Sequence, residues 1–127
     1  MTGEGLPVAA SLAGTAWRAV SVAGAAPVAG REPTIRFEAD RISGTTGCNQ
    51  YFGGYTLVGG AIAFSEVGMT RMACDDAIGQ IEGAFTSALT AATTAAIDAD
   101  GRLSLAGTGG QIVLDPEPDP EPATGGS

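Results

Sequence analysis

The residues best suited to chemistry in this chain are two cysteines, Cys48 and Cys74, and two short acidic clusters, Asp75-Asp76 and Asp98-Ala99-Asp100. There is no histidine, which removes Ser-His-Asp and Cys-His nucleophilic arrangements. No Gly-x-Ser-x-Gly elbow is present. Gly44-Thr45-Thr46-Gly47 and Gly107-Thr108-Gly109-Gly110 are glycine-rich but lack the lysine of a phosphate-binding loop. Asp98-Ala99-Asp100-Gly101 opens like a calcium loop, yet the later ligands and the closing glutamate are missing; a hairpin turn explains it better. Asp75-Asp76 could act as paired carboxylates, but capping a helix is the simpler reading. The expectation is a protein that is not an enzyme, with no catalytic residue, no cofactor and no metal site. Carboxylate or tyrosine catalysis is the disfavoured alternative.

The cysteines are too far apart for a Cys-x-x-Cys redox motif. Two thiolates without histidine make a poor zinc site, which normally takes four ligands. A structural disulfide between Cys48 and Cys74 is favoured, and buried free thiols are the alternative. A bond closing a loop of this size contributes roughly 3–4 kcal/mol in the chain-entropy picture. It would place the domain in an oxidising compartment.

These residues need a frame, and the pattern around them is mainly β. Thr15–Val22 reads as a first strand, followed by a small-residue loop over Gly24–Gly30. Thr34–Glu38 alternates, with Ile35 and Phe37 on one side and Thr34, Arg36 and Glu38 on the other. Ala39-Asp40 turns the chain, and Arg41–Thr46 returns. Gly53–Val58 and Ala61–Phe64 flank Gly59-Gly60, a two-residue hairpin signal. Asp100-Gly101 makes the same signal between Ala95–Ala99 and Arg102–Ala106, and Gly109-Gly110 precedes Gln111–Leu114. One segment departs from this period. In Asp76–Ala92 the residues Ile78, Ile81, Phe85, Ala88, Leu89 and Ala92 recur at helical spacing. Asp75 or Asp76 can cap its start. Gly79 and Gly83 weaken it by about 0.5–1 kcal/mol each. The fold class expected is β-rich with one α-helix: an antiparallel, strongly twisted sheet or partly closed barrel with the helix packed on it.

Composition sets the outer limits. A chain of 127 residues suits one domain. The 20 glycines favour turns over long helices. The net charge of −8 argues against nucleic acid, which needs a basic footprint, and against anionic membrane surfaces. Four of the acids, Asp115, Glu117, Asp119 and Glu121, fall near the end, so the body carries roughly −4. Alternation with proline makes 115–127 an expected extended, solvated tail. Residues 1–10 are expected to be a flexible leader, which leaves 11–114 as the domain. No apolar run is long enough to span a membrane, and the first residues show no export signal. A monomer is expected.

Gly47-Cys48-Asn49-Gln50-Tyr51-Phe52-Gly53-Gly54-Tyr55 resembles the Gly-Cys-Asn-x-Tyr-x-Gly-x-Tyr signature of the META domain, or HslJ-like, family. Thr70-Arg71-Met72-Ala73-Cys74 resembles its Thr-x-Met-Ala-Cys signature, Leu12-Ala13-Gly14-Thr15-Ala16-Trp17 its opening Leu-x-Gly-Thr-x-Trp, and Asp100-Gly101-Arg102-Leu103 its late hairpin. The resemblance spans about residues 11–114. It implies a β-rich fold with one helix, a home in the bacterial periplasm or on the membrane as a lipoprotein, and links to heat shock, antibiotic tolerance and virulence. A cytoplasmic location is the alternative. The resemblance supplies no catalytic residues. Asn49, Tyr51, Tyr55, Arg71 and Met72 are candidate binding residues that would line a shallow groove near the cysteines. Trp17 and Phe52 would floor that groove, although the ordinary roles are structural: Asn49 satisfying a turn, Arg71 pairing with a carboxylate or backbone carbonyls, the tyrosines packing on the sheet, and Trp17 and Phe52 in the core. The expected partner is an envelope protein, or a small lipophilic ligand held in a barrel cavity.

Overall fold

The computed structural model describes residues 12–117. Alternation of large apolar residues with small or polar ones gives eight strands. These are β1 (Ala16–Val22), β2 (Thr34–Phe37), β3 (Arg41–Thr45), β4 (Gln50–Val58), β5 (Ala61–Met69), β6 (Ala92–Ile97), β7 (Leu103–Gly107) and β8 (Gly110–Pro116), with helix α1 (Asp76–Ala91) between β5 and β6. All neighbours pair antiparallel, and β8 returns to β1, so the sheet closes into a barrel. Closure removes the unpaired edges that an open sheet of this size would carry.

The weakest seam fixes where the helix goes. β5 and β6 share a single register pair, Ala61↔Thr94. Beyond it the chain leaves β5 at Met69 and comes back through α1, which packs on β1, β5, β7 and β8. The helix buries the stripe expected from its period: Ile78, Ile81, Phe85, Ala88 and Leu89. Asp75 is the N-cap, its side chain accepting from the Ile78 N–H at 3.2 Å. At the other end Ala92 is not a helical residue. It is extended, caps the helix through its N–H to Leu89 O, and starts β6 directly.

Inward residues of the strands meet that stripe. Trp17, Ile35, Phe37, Ile42, Tyr51, Tyr55, Leu103, Leu105, Ile112 and Leu114 fill the barrel around Phe85. Tyr51 meets Phe85 edge-on at 5.7 Å between ring centroids, and Phe37 meets Tyr55 at 5.0 Å. Such pairs contribute about 0.5–1.5 kcal/mol beyond area burial.

Several boundaries differ from the sequence reading. β4 begins at Gln50, so Tyr51 and Phe52 are strand residues, and β5 runs on to Met69. That length includes a bulge, where the register shifts between Phe52 and Gly54 and Glu66 takes φ +55°. The β6–β7 turn is longer than two residues. Asp98 N–H bonds Arg102 O, Gly101 N–H bonds Asp98 O, and Gly101 sits at φ +84°, a three-residue loop with a left-handed third position. The β7–β8 turn is Thr108-Gly109, with Gly107 paired to Gly110. β8 continues through Asp115 and Pro116, two residues into the segment expected to be a solvated tail, because Asp115 pairs with Arg102 at 2.7 Å and Glu117 N–H reaches Ala16 O. Residues 1–10 of the leader and 118–127 of the tail lie outside the described residues.

Candidate functional site

The loop between β3 and β4 carries Thr46, Gly47, Cys48 and Asn49, all buried. It is a tight return: Thr46 N–H bonds Asn49 O at 2.8 Å. Gly47 takes φ +97°, and a Cβ there would stand 2.5 Å from Arg31 O. A side chain would meet both backbone strain and main-chain atoms. Thr46 is fully buried. Its hydroxyl accepts from the N–H groups of Cys48 (3.2 Å) and Asn49 (2.9 Å) and donates to Glu82 Oε2 at 2.6 Å.

Asn49, 3% exposed, is the hub. Its Oδ1 accepts from Met72 N–H at 2.6 Å and Thr70 Oγ1 at 3.0 Å. Its Nδ2 donates to Glu82 Oε2 at 2.8 Å and Met72 O at 3.2 Å, and lies 3.4 Å from Cys48 Sγ. Only one orientation of the amide works, since a flipped one would turn its NH2 toward the Met72 N–H. The full donor and acceptor capacity of an asparagine side chain is used. Thr70 extends the clamp by accepting from Gln50 N–H at 3.1 Å. A Cys48–Cys74 disulfide, Cα atoms 5.9 Å apart, ties the same loop to the residue before the helix cap. So the two signatures and the middle of α1 are one polar knot. Thr-x-Met-Ala-Cys acts through the Thr70 hydroxyl, the Met72 backbone and the Cys74 sulfur.

The seven groove candidates separate. Asn49 and the Met72 backbone meet at the knot. Tyr51 and Tyr55 point inward at i, i+4 of one strand. Tyr51 Oη donates to Thr34 O at 2.7 Å and Tyr55 Oη to Glu38 O at 2.6 Å. Burial pushes the Tyr51 phenol far above its ordinary pKa. Tyr55 is raised as well, by burial first and then by the Asp40 and Glu38 charges. Trp17 is in the core, its Nε1–H on Thr15 Oγ1 at 2.8 Å. Phe52 faces the opposite way and is 56% exposed, its ring lying against Gly68. Arg71 is exposed, and the Met72 side chain is 62% exposed. These residues do not line a common groove.

Two residues of the knot were not singled out from sequence, Thr46 and Glu82. Glu82 carried a faint signal. It lies four residues after Ile78 and three before Phe85, an acid at the margin of a buried stripe. Asp98 belongs to the hairpin turn, its Oδ1 accepting from the N–H groups of Asp100 (2.9 Å) and Arg102 (3.0 Å). Open depressions occur elsewhere on the surface. One of about 350 Å³ is lined by Leu12, Tyr55 and Leu57 among others, and one of about 410 Å³ runs between Ala25–Val28 and the Ala77–Ala84 face of α1. No described helix is long and apolar enough to cross a membrane.

A family model described as META domain matches residues 10–119. Among solved structures, the NMR structure of a protein from Burkholderia xenovorans is similar at 33% identity and a TM-score of 0.70, with 84% of this chain and 83% of that chain covered. A second NMR structure, 24% identical with a TM-score of 0.65 over 82% of this chain and 90% of that one, shares the fold. The search of curated proteins returned no significant match.

Proposed function

Because the chain belongs to the META domain family, we propose that it is a non-catalytic module of the bacterial cell envelope that binds or stabilises a partner protein under stress. The observation that carries this reading is the internal use of the signature groups. The Asn49 amide, the Thr46 and Thr70 hydroxyls, both tyrosine hydroxyls and both sulfurs are spent on holding the fold. Three large apolar side chains are exposed as well: Phe52, Val58 and Met72. Exposed large apolar side chains suit protein contact better than chemistry. The disulfide suits an oxidising, extracytoplasmic site. The alternative expectation, a carrier with a lipophilic ligand inside the barrel, has less support, since the interior is filled with packed side chains.

The test is complementation. A strain lacking the protein is challenged with heat and with antibiotic, then supplied with the wild type or with Phe52→Asp/Met72→Asp. Equal melting temperatures with loss of rescue by the variant support a contact role. Full rescue by a folded double variant sinks it.

A further inference from the structure

The disulfide is asymmetric in its surroundings. Cys48 is 6% exposed, whereas Cys74 is partly open, beside the exposed Asp75 and Asp76. Around Cys48 Sγ stand both an N–H donor, Asn49 Nδ2 at 3.4 Å, and a carbonyl acceptor, Met72 O at 3.4 Å. A disulfide sulfur has no proton to give, so the carbonyl has no use for it in the bonded state. The two Asn49 Nδ2 hydrogens are already given to Glu82 Oε2 and Met72 O, but a Cys48 thiol could donate to Met72 O. The thiol form of Cys48 therefore finds an acceptor already in place.

The segment leading to Cys74 is also held twice. The covalent bond is one tie. The other is the Asn49 clamp on Thr70 and on both main-chain groups of Met72, braced by Glu82. Breaking the S–S bond leaves the second tie intact.

We infer that Cys48–Cys74 is a thiol–disulfide exchange site of fixed polarity, in which a low-mass thiol attacks Cys74 and Cys48 is the leaving sulfur. The external thiolate forms a bond to Cys74 Sγ as the Cys48–Cys74 bond breaks. The electron pair departs on Cys48 Sγ, which takes up a proton and can then donate to Met72 O. A second external thiolate attacks the mixed disulfide, releasing Cys74 as a thiolate and forming the external disulfide. The protein gains two electrons, two external thiols are oxidised, and their protons end on Cys48 and Cys74. Access decides which sulfur is attacked, and the acceptor waiting for the Cys48 thiol favours the same direction. The pair Asp75 and Asp76 favours a cationic thiol over an anionic one.

The experiment treats native full-length protein with cysteamine or with 2-mercaptoethanesulfonate, quenches in acid, blocks free thiols with maleimide and maps the adducts by mass spectrometry. The expected result is a mixed disulfide on Cys74 and a blocked thiol on Cys48, in at least tenfold excess over the reverse. Per thiolate, cysteamine should react several-fold faster at low salt, with the gap closing as salt screens it. Adducts on Cys48, or equal labelling, would overturn the polarity. Exchange no faster than global unfolding, read from its rise with urea, would overturn the site itself. The single-cysteine proteins Cys48→Ser and Cys74→Ser give a second measurement, with Cys74 reacting at least tenfold faster than Cys48.

Discussion

Asn49 Nδ2 donates to Glu82 Oε2 at 2.8 Å, joining the loop that opens β4 to the middle of α1. Glu82 also takes the proton of the Thr46 hydroxyl at 2.6 Å. One carboxylate thus satisfies two buried donors from a loop that precedes it by more than thirty residues. Removing it leaves one Asn49 N–H unmet and the Thr46 hydroxyl with only Asn49 O, at 3.2 Å, to donate to, and an unmet buried polar group costs about 1–3 kcal/mol. Glu82→Ala should lower stability by about 2 kcal/mol, read from urea unfolding. Asn49→Ala should do the same, and the double variant should cost less than the sum because the two share an interaction. Additive losses would show that the contact is not energetically coupled.

The disulfide should act mainly on the unfolded chain. Cys48→Ser should destabilise the protein by roughly 3–4 kcal/mol in oxidising buffer and have little effect in excess reductant. A similar melting-temperature loss in both conditions would place the effect in side-chain packing instead.

Tyr51 gives a pH signature. Its folded-state pKa lies above the ordinary phenol value because burial disfavours the charged form. Its contribution is fully present below about pH 10 and is lost as pH rises above that value. Phenolate absorbance from Tyr51 should appear only with unfolding. Tyr51→Phe loses the bond to Thr34 O, worth about 1 kcal/mol near neutrality. That deficit should shrink or reverse by about pH 11. A constant deficit across the range contradicts this assignment.

Glu66 occupies left-handed backbone at φ +55° in the β5 bulge, with its side chain exposed. Glycine takes that conformation without steric cost. Glu66→Gly should therefore stabilise the fold by about 1 kcal/mol, seen as a higher melting temperature, where glycine elsewhere in a strand would destabilise. A loss of stability would mean that the bulge carries no backbone strain.

Local periodicity made much of the frame legible. The period-2 runs located the strands because a pleated strand places alternate residues on opposite faces. The spacing of Ile78, Ile81, Phe85 and Leu89 located the one helix for the same kind of reason. The Gly59-Gly60 turn was legible because two residues with few steric limits must sit there. Turn details near Asp100 and Gly109 were less so, since glycine marks a bend without saying which of its neighbours pair.

What sequence alone left open was how these pieces meet. Tyr51 and Phe52 are adjacent, and either could have faced the core; the β4 register with Gly44 and Met69 turned the tyrosine in and the phenylalanine out. The two cysteines could have been bonded or free, and only the fold brings their Cα atoms to 5.9 Å. Glu82 reads as an ordinary helix-surface acid until the barrel closes and carries α1 across the seam between β5 and β6. Such long-range polar contacts have no local period to announce them, because their partners are set by the geometry of closure and not by neighbouring residues.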